Sequence, residues 1–322
     1  MRIAALVPGG IGEQILFFPT LSAIKTAYPQ ADVDVVVEPR AKGAYRVSQS
    51  ASSVVPFDFK ARSSPADWAN LLGVLRDRYY DAVISLDRRW SMGVLLWLTG
   101  IPERIGYRSS FGNCLLTQAI PLKTEQYAAA MYHDLLQALD VTTPCPDLAI
   151  DVLRSDVDWA ETERERLGLA QGGYLLIHGG SSQFSKDKGI DKTYSTEGWE
   201  AIIQEFRNRQ PELPIVLVEG PDDAEEVADL IGVVSGLKVI KTEDIGKLAA
   251  MIAGASLMIC TDSAPMHLAV SLQVYTVAIF GPTEPDKLLP KSDKFLGVKS
   301  PTDKISDVTP DMVLKKIFGE DE

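Results

Sequence analysis

Residues 257–283, LMICTDSAPMHLAVSLQVYTVAIFGPT, decide the fold because they join two apolar strand patterns through a polar loop and a short helix. The first strand pattern stops at Thr261-Asp262-Ser263, and Pro265 then stands where a first helical turn tolerates its fixed φ and missing N–H. A helix that begins at the carboxyl end of a strand offers free backbone N–H groups and a positive dipole end. The stretch therefore predicts a phosphate or diphosphate site, and the alternative is a helix that Asp262 or Ser263 merely caps.

Short apolar strands alternate with helical patterns on both sides of this stretch. Strands are predicted at residues 3–7, 33–37, 82–86, 174–178, 215–218, 238–240, 257–260 and 275–280. Helices are predicted near residues 13–28, 67–77, 92–99, 127–139 and 307–318. Such alternation is typical of α/β proteins, in which helices cover both faces of a parallel sheet.

The length of 322 residues and a hydrophobic content of 46% allow two domains, each with its own core. The proline-punctuated segment 142–147 indicates the approach to a linker, so we predict domains at residues 1–152 and 153–322. The periodicity of the last helix does not say which domain it packs on, and packing back on the first is one alternative. Two doubly wound domains in series would bind ligands at the carboxyl ends of their strands, in a central cleft.

No apolar run reaches the roughly 18 residues of a membrane span, and residues 1–7 follow a strand pattern, so we expect a cytoplasmic protein. The net charge of −12 argues against a general nucleic-acid binder. Residues 1–150 are nevertheless neutral, and their arginines form either a basic patch for an anionic partner or ordinary solvated surface. These arginines are Arg76, Arg78, Arg88, Arg89, Arg104 and Arg108.

The three cysteines, Cys114, Cys145 and Cys260, are odd in number and contain no C-x-x-C pair. This pattern indicates neither a disulfide framework nor a zinc site, and we expect buried apolar residues instead. Aspartate and histidine are not clustered at the spacings that metal ions require, so we expect no metal.

A glycine-rich loop, Pro8-Gly9-Gly10-Ile11-Gly12-Glu13, follows the first strand. A dinucleotide fingerprint requires a third glycine at position 15, where Ile15 stands, although Glu38 ends the second strand at a suitable distance. A nicotinamide site therefore stays an open alternative. The loop otherwise holds the Glu13 carboxylate at a helix start, where a negative charge is also favourable against the helix dipole.

Two more loops follow strands of the second half. The loop His178-Gly179-Gly180-Ser181-Ser182-Gln183 leads towards Lys192, and small residues with a lysine can hold a diphosphate without a metal. The turn Glu219-Gly220-Pro221-Asp222-Asp223 places a carboxylate where ribose hydroxyls could be bound. For Asp222 we favour the alternative that it caps the helix at residues 224–230.

The order of these motifs resembles glycosyltransferase family 9, the ADP-heptose:lipopolysaccharide heptosyltransferases. TDSAPMHLA at residues 261–269 is similar to the family pattern D-[TS]-[GA]-x-x-H-L-A, and FGPTEP at residues 280–285 is similar to F-G-P-T-[DE]-P. YDAVISL at residues 80–86 and RIGY at 104–107 add to the resemblance. It implies the GT-B architecture, in which two Rossmann-like doubly wound parallel-sheet domains face a central cleft, the first binding the acceptor and the second the donor.

The resemblance also implies the site residues. Lys192 matches the lysine of a K-x-W motif, with Tyr194 in place of tryptophan, and Glu13 stands where the family has an aspartate that serves as catalytic base. The implied donor-binding residues are Gly180, Ser181, Ser182, Lys192, Asp223, Asp262, Ser263, Ala264 and His267. The implied acceptor contacts are Gly12 and three arginines in the loops after residues 86 and 101, namely Arg88, Arg104 and Arg108.

The implied activity is transfer of a sugar, expected to be heptose, from a nucleoside-diphosphate sugar, expected to be ADP-heptose. The acceptor would be the lipopolysaccharide core or another anionic, lipid-linked saccharide, and the reaction would be inverting and independent of metal and cofactor. Peripheral contact with the inner face of the cytoplasmic membrane is a further expectation. Two alternatives stay open: a catalytically silent sugar-nucleotide-binding protein, because glutamate replaces the aspartate, and a nicotinamide-dependent oxidoreductase.

Overall fold

The computed structural model describes residues 1–59, 64–108, 113–169, 172–180, 192–242 and 244–319. The chain divides into two compact units, Met1–Asp151 and Val152–Glu322. Each unit is a parallel sheet with its own helices and its own core.

The sheet of the first unit has six strands in the order β3-β2-β1-β4-β5-β6, and all neighbours are parallel. The strands are β1 Arg2–Val7, β2 Asp32–Val37, β3 Ser53–Pro56, β4 Ala82–Ser85, β5 Glu103–Tyr107 and β6 Gln118–Ile120. The helices are α1 Ile11–Ala27, α2 Pro65–Asp77, α3 Trp90–Thr99 and α4 Ala128–His133, with 3₁₀ segments at Pro39–Val47, Asn113–Leu115 and Asp134–Leu139. The central strands are short runs of Val, Ile, Leu and Ala because helices bury both faces of the sheet.

The sheet of the second unit repeats this topology with the order β12-β11-β10-β7-β8-β9. Its strands are β7 Leu175–His178, β8 Ile215–Glu219, β9 Lys238–Lys241, β10 Leu257–Thr261, β11 Thr276–Phe280 and β12 Phe295–Lys299. The described helices are α5 Arg154–Arg166, α6 Thr196–Arg209, α7 Ala224–Val233, α8 Ile245–Ala253, α9 Ala264–Ser271, α10 Pro285–Leu288 and α11 Pro310–Phe318, with a 3₁₀ turn at Ile305–Asp307. The two parallel sheets with flanking helices confirm the predicted α/β class.

Several details differ from the sequence prediction. Strands β3, β5, β6 and β12 were not predicted, and Arg104 therefore lies in β5, paired with Val83 of β4, instead of in a loop. The final helix packs on the core of the second unit, where Val313 is fully buried, and this decides between the two placements left open. Only Cys260 is buried as expected, whereas Cys145 is partly exposed and Cys114 is exposed. Within the described ranges, no helix is long and apolar enough to cross a membrane.

Candidate active site

The carboxyl edge of the second sheet brings together polar residues from four neighbouring strands, β8, β7, β10 and β11. His178 is the last residue of β7, Asp262 and Ser263 follow β10, Thr283 follows β11, and Asp223 lies between β8 and α7. Because the strands are parallel and adjacent, their carboxyl ends meet at one edge. Segments that are far apart in sequence thus form one cluster.

Asp262 is the acceptor at the centre of this cluster. Its Oδ2 lies 2.5 Å from Nζ of Lys192 and accepts a hydrogen bond of 2.7 Å from the Thr283 hydroxyl. The Asp262 side chain is 5% exposed and that of Lys192 is 17% exposed, so solvent screens this ion pair less than a surface pair. The segment after Lys192 is fixed by Tyr194, which is buried and donates its phenol proton to the carbonyl of Val308. Lys192 is therefore held with its charge beside the start of α9.

A second chain of hydrogen bonds runs through the buried imidazole of His178. Its Nδ1 lies 3.2 Å from the Ser263 hydroxyl and its Nε2 lies 3.1 Å from Oδ2 of Asp223. In the neutral tautomer that carries its proton on Nε2, His178 donates to Asp223 and accepts from Ser263. In the imidazolium form both nitrogens donate, and the Ser263 proton goes to the Thr261 carbonyl, 3.1 Å away. In either form, His178 connects Ser263, which follows β10, with Asp223, which follows β8.

Ser263 occupies the N-cap position of α9, but its side chain makes no capping hydrogen bond. The hydroxyl turns to His178 and Thr261 instead, while the Ser263 carbonyl accepts a 3.1 Å hydrogen bond from the Met266 N–H. Ala264 is the first residue of the helix and Pro265 follows it, so the proline removes a donor only where the helix has no internal acceptor for it. His267 lies in the same first turn and is buried. This helix start can bind an anion through its backbone.

The Asp223 carboxylate closes the other side of the cluster. It accepts a hydrogen bond of 3.2 Å from the Gly220 N–H and lies against Gly180, where an added Cβ would come within 2.3 Å of the Asp223 Cγ. Gly180 also accepts a 2.9 Å bond from the Thr261 hydroxyl through its carbonyl. The predicted cap at Asp222 is wrong, because the N-cap of α7 is Asp223 and its side chain faces His178 instead of the helix.

Replacing His178 by alanine tests how much this chain of hydrogen bonds stabilises the second unit. We expect His178→Ala to lower the free energy of unfolding by about 1–3 kcal/mol, because a carboxylate and a hydroxyl lose a buried partner. Urea denaturation measures the change. In a cycle with Asp223→Asn, the double variant should lose less than the sum of the single losses. Strict additivity would show that His178 and Asp223 do not interact.

In the first unit, Glu13 lies in the first turn of α1 and is exposed. Its Oε2 accepts a 2.9 Å hydrogen bond from the Gly10 N–H, and a Cβ at Gly9 would lie 2.5 Å from the Glu13 Cβ. Glycines at both positions thus allow the side chain to fold back over the loop. Burial, with the charge of Glu13 as a second cause, raises the pKa of the Tyr132 phenol on α4. Gln14, fully buried, fixes the same turn by donating to the carbonyl of Val7.

The predicted acceptor contacts differ in their surroundings. Arg88 precedes α3 and Arg108 follows β5, and both are exposed at the carboxyl edge of the first sheet. The Arg104 guanidinium instead donates to the backbone carbonyls of Leu115 and Ile101, at 3.0 and 2.7 Å, and so it fixes the local chain. Gly12 is partly exposed in the first turn of α1.

The second unit thus gathers most of the predicted donor-binding residues: Gly180, Lys192, Asp223, Asp262, Ser263, Ala264 and His267. Ser181 and Ser182 lie outside the described residues. The sequence prediction missed the contacts of His178 and Thr283, although both residues stand at or just after strand ends, which was the available signal. Within the described ranges, no group of three or more His, Cys, Asp or Glu side chains is placed to hold a metal ion.

Comparison with known proteins identifies the fold and the family. A structure of E. coli heptosyltransferase WaaC with ADP-2-deoxy-2-fluoro heptose matches at a TM-score of 0.76 with 20% identity, covering 98% of this chain and 99% of that one. The shared architecture, two parallel-sheet units in one chain, is the GT-B class of α/β fold. The profile of glycosyltransferase family 9 (heptosyltransferase) matches residues 68–317. The chain belongs to this family, which confirms the resemblance seen in the sequence.

Two relatives of this chain have names that refer to different roles. Lipopolysaccharide heptosyltransferase 3 of Escherichia coli is 24% identical over 85% of this chain and 81% of its own length. Photosynthetic NDH subunit of subcomplex B 1 of Arabidopsis thaliana is 25% identical over 95% of this chain and 71% of its own length. The two identities to this chain are nearly equal, so the names of these relatives do not decide between the two roles.

Proposed function

We propose that this protein is a glycosyltransferase that moves a heptose from ADP-heptose to a saccharide of the lipopolysaccharide core, with inversion and without a metal ion. The observation that carries the proposal is the position of Lys192, which Asp262 and Thr283 hold beside the start of α9. A cation next to the positive end of a helix suits a diphosphate leaving group. The relatives include a lipopolysaccharide heptosyltransferase, which gives the expected sugar and acceptor.

In the proposed reaction, an acceptor hydroxyl loses its proton to the Glu13 carboxylate and attacks the anomeric carbon of the donor sugar. The bond from that carbon to the diphosphate breaks, and its electron pair leaves with the nucleoside diphosphate. Lys192 and the positive end of the α9 dipole stabilise the charge that develops there, so they take the part that a divalent metal plays elsewhere. A single direct displacement inverts the configuration at the anomeric carbon.

Within the donor site, each side chain has a separate proposed role. A carboxylate near a diphosphate would repel it, but Lys192 neutralises the charge of Asp262 and Thr283 donates a hydrogen bond to it. We assign Asp262 to holding Lys192 in position and to accepting a hydrogen bond from a sugar hydroxyl. Asp223 is assigned to the ribose hydroxyls, and the absence of a Cβ at Gly180 leaves room for its carboxylate. Ser263, Ala264 and His267 belong to the helix start that faces the diphosphate and sugar.

Calorimetric titration with ADP, UDP and GDP, with and without Mg²⁺, tests the donor assignment. We expect ADP to bind without Mg²⁺ and the affinity to fall in Asp262→Ala, because Lys192 loses the partner that holds it. Thr302→Ala, in a loop of the same unit, is the matched control and should bind ADP like the wild type. Binding of UDP or GDP in place of ADP would change the donor, and binding of none of them would contradict the proposal.

A second candidate function is a catalytically silent subunit of a larger assembly. Two observations favour it: the Glu13 carboxylate is engaged with the Gly10 N–H at the helix start, and one relative is named as an NDH subunit. This candidate predicts ADP binding without transfer to any acceptor. Turnover by the wild-type protein, measured as release of ADP in the presence of a deacylated inner-core saccharide, would exclude it.

The proposed acceptor is lipid-borne, which gives the proposed location: the cytoplasm, in peripheral contact with the inner face of the cytoplasmic membrane. The exposed Arg88 and Arg108 are the proposed contacts for the phosphates of such an acceptor. Arg104 is a weaker candidate for this role because its guanidinium is bound to backbone carbonyls.

A further inference from the structure

Helix α3 presents an apolar face to solvent. Trp90 is 66% exposed, Trp97 56% and Leu98 45%, and Val94 is partly exposed. These four residues follow the spacing i, i+4, i+7, i+8, which places them along one side of a helix. We call this set the α3 face. The opposite side of the helix is buried in the core of the first unit through Met92, Leu95 and Leu96.

The α3 face is unusual for a surface helix. All ten residues, WSMGVLLWLT, are uncharged, whereas the outer face of such helices ordinarily carries charged and polar side chains. Isolated exposed apolar residues need no explanation, but a continuous apolar face marks a surface that contacts a partner or a membrane. Tryptophan is the residue that membrane interfaces favour, because one end of the indole is apolar and the other donates a hydrogen bond.

The charges around α3 are arranged for an anionic partner. Arg88 is exposed just before the helix, and Arg108 is exposed after the neighbouring strand β5. Asp87, between β4 and α3, is paired with Arg89. At the other end of the helix, the carboxylate of Glu103 accepts from Thr117, and Asp81 accepts from the Arg2 N–H. The positive charges near the N-terminal end of α3 thus face solvent, whereas the carboxylates of Asp81, Asp87 and Glu103 have partners within the protein.

We propose that the α3 face docks on an anionic phospholipid surface, with the helix lying in the plane of the interface. Trp90, Val94, Trp97 and Leu98 would enter the boundary between headgroups and acyl chains. Arg88 and Arg108, the proposed contacts for the phosphates of a lipid-borne acceptor, would then lie at the level of the lipid phosphates and be attracted by their charge. Trp90 lies at the carboxyl edge of the first sheet, the edge that also carries Glu13. Docking there brings a lipid-borne acceptor to the edge that holds the base; this last step rests on the proposed function, whereas the docking surface does not.

Co-sedimentation with vesicles tests the surface directly. The full-length protein is mixed with vesicles of phosphatidylcholine alone or of an equimolar mixture with phosphatidylglycerol. We expect binding to the mixed vesicles, and a loss of at least about tenfold in partitioning for the double variant Trp90→Ser/Trp97→Ser. Tyr275→Ser is the matched control, since Tyr275 is an aromatic residue of the second unit that is 56% exposed, and it should bind like the wild type.

A second pair of variants separates charge from apolar contact. Arg88→Ala/Arg108→Ala should weaken binding to the mixed vesicles, and added salt should produce the same loss in the wild type. Both tryptophan side chains are exposed, so we expect Trp90→Ser/Trp97→Ser to remain folded. Circular dichroism checks this.

Three outcomes would overturn the proposal: wild-type protein that sediments with neither vesicle, a double tryptophan variant that binds as well as the wild type, or a wild-type dimer that the double variant converts to monomer. The last would assign the α3 face to a protein partner. ADP titration of the same variants separates this inference from the proposed function. Trp-dependent vesicle binding without ADP binding would keep the docking surface and reject the transferase, and the reverse result would reject only the docking surface.

Discussion

Glu13→Gln is expected to lower kcat by about 10²–10⁴-fold, because the amide cannot accept the proton of the acceptor hydroxyl. The amide oxygen can still accept the hydrogen bond from the Gly10 N–H, so the start of α1 keeps its structure. The affinity for ADP should not change, since the predicted diphosphate contacts lie in the second unit. ADP release with a deacylated inner-core saccharide measures kcat, and calorimetry measures the affinity.

Two further results would define the role of Glu13. Glu13→Asp introduces the aspartate that the family resemblance implies at this position. Turnover equal to or above the wild-type value would show that the acceptor does not require the longer glutamate side chain. Wild-type turnover in Glu13→Gln would show that another group is the base. If the wild type binds ADP but releases none from the donor, the silent-subunit candidate is favoured over the transferase.

Lys192→Met is expected to weaken ADP binding by about 10- to 100-fold, the value of a lost charge-assisted hydrogen bond to phosphate. The variant should also be less stable, because the Asp262 carboxylate, only 5% exposed, loses its cation. Calorimetry and urea denaturation measure the two effects. Lys315→Met is the matched control: this lysine pairs with Asp311 on the exposed surface of α11, and its loss should change neither quantity appreciably.

The double variant Lys192→Met/Asp262→Asn separates the binding role of Lys192 from its structural role. Removing the uncompensated carboxylate should recover most of the stability, while the weak affinity for ADP should persist. If affinity recovers together with stability, Lys192 acts on ADP only through the fold, and the proposed contact with the diphosphate is wrong.

The sequence was informative where a single segment carries the whole pattern. Residues 257–283 predicted strand, loop, helix start and strand, and the structure has β10, α9 and β11 there. The four strands that were missed have physical reasons. Three of them, β3, β6 and β12, are edge strands of only four, three and five residues, which leaves little of the alternation that marks a strand. The fourth, β5, begins with Glu103 and Arg104, whose polar groups are satisfied by Thr117 and by backbone carbonyls.

The site was predicted as a set of residues and not as a set of contacts. The hydrogen bond between Ser263 and His178 joins positions 85 residues apart, and the bond between Lys192 and Asp262 joins positions 70 apart. Such pairs follow from strand order, which places β7 beside β10, and a single sequence does not contain that order. The wrong prediction that Asp222 caps α7 has the same origin. Which of the two carboxylates, Asp222 or Asp223, faces the imidazole of His178 depends on the neighbouring strand.

The order of strands has a consequence for synthesis on the ribosome. In each sheet the first strand to emerge, β1 or β7, is a central one, and every later strand pairs with a strand that has already been made. The order of translation is therefore also an order in which the sheet can grow outward, one docking event at a time. Among the strands that the structure describes, none pairs with a strand of the other unit, so the first unit can assemble its six strands while the second is still being translated.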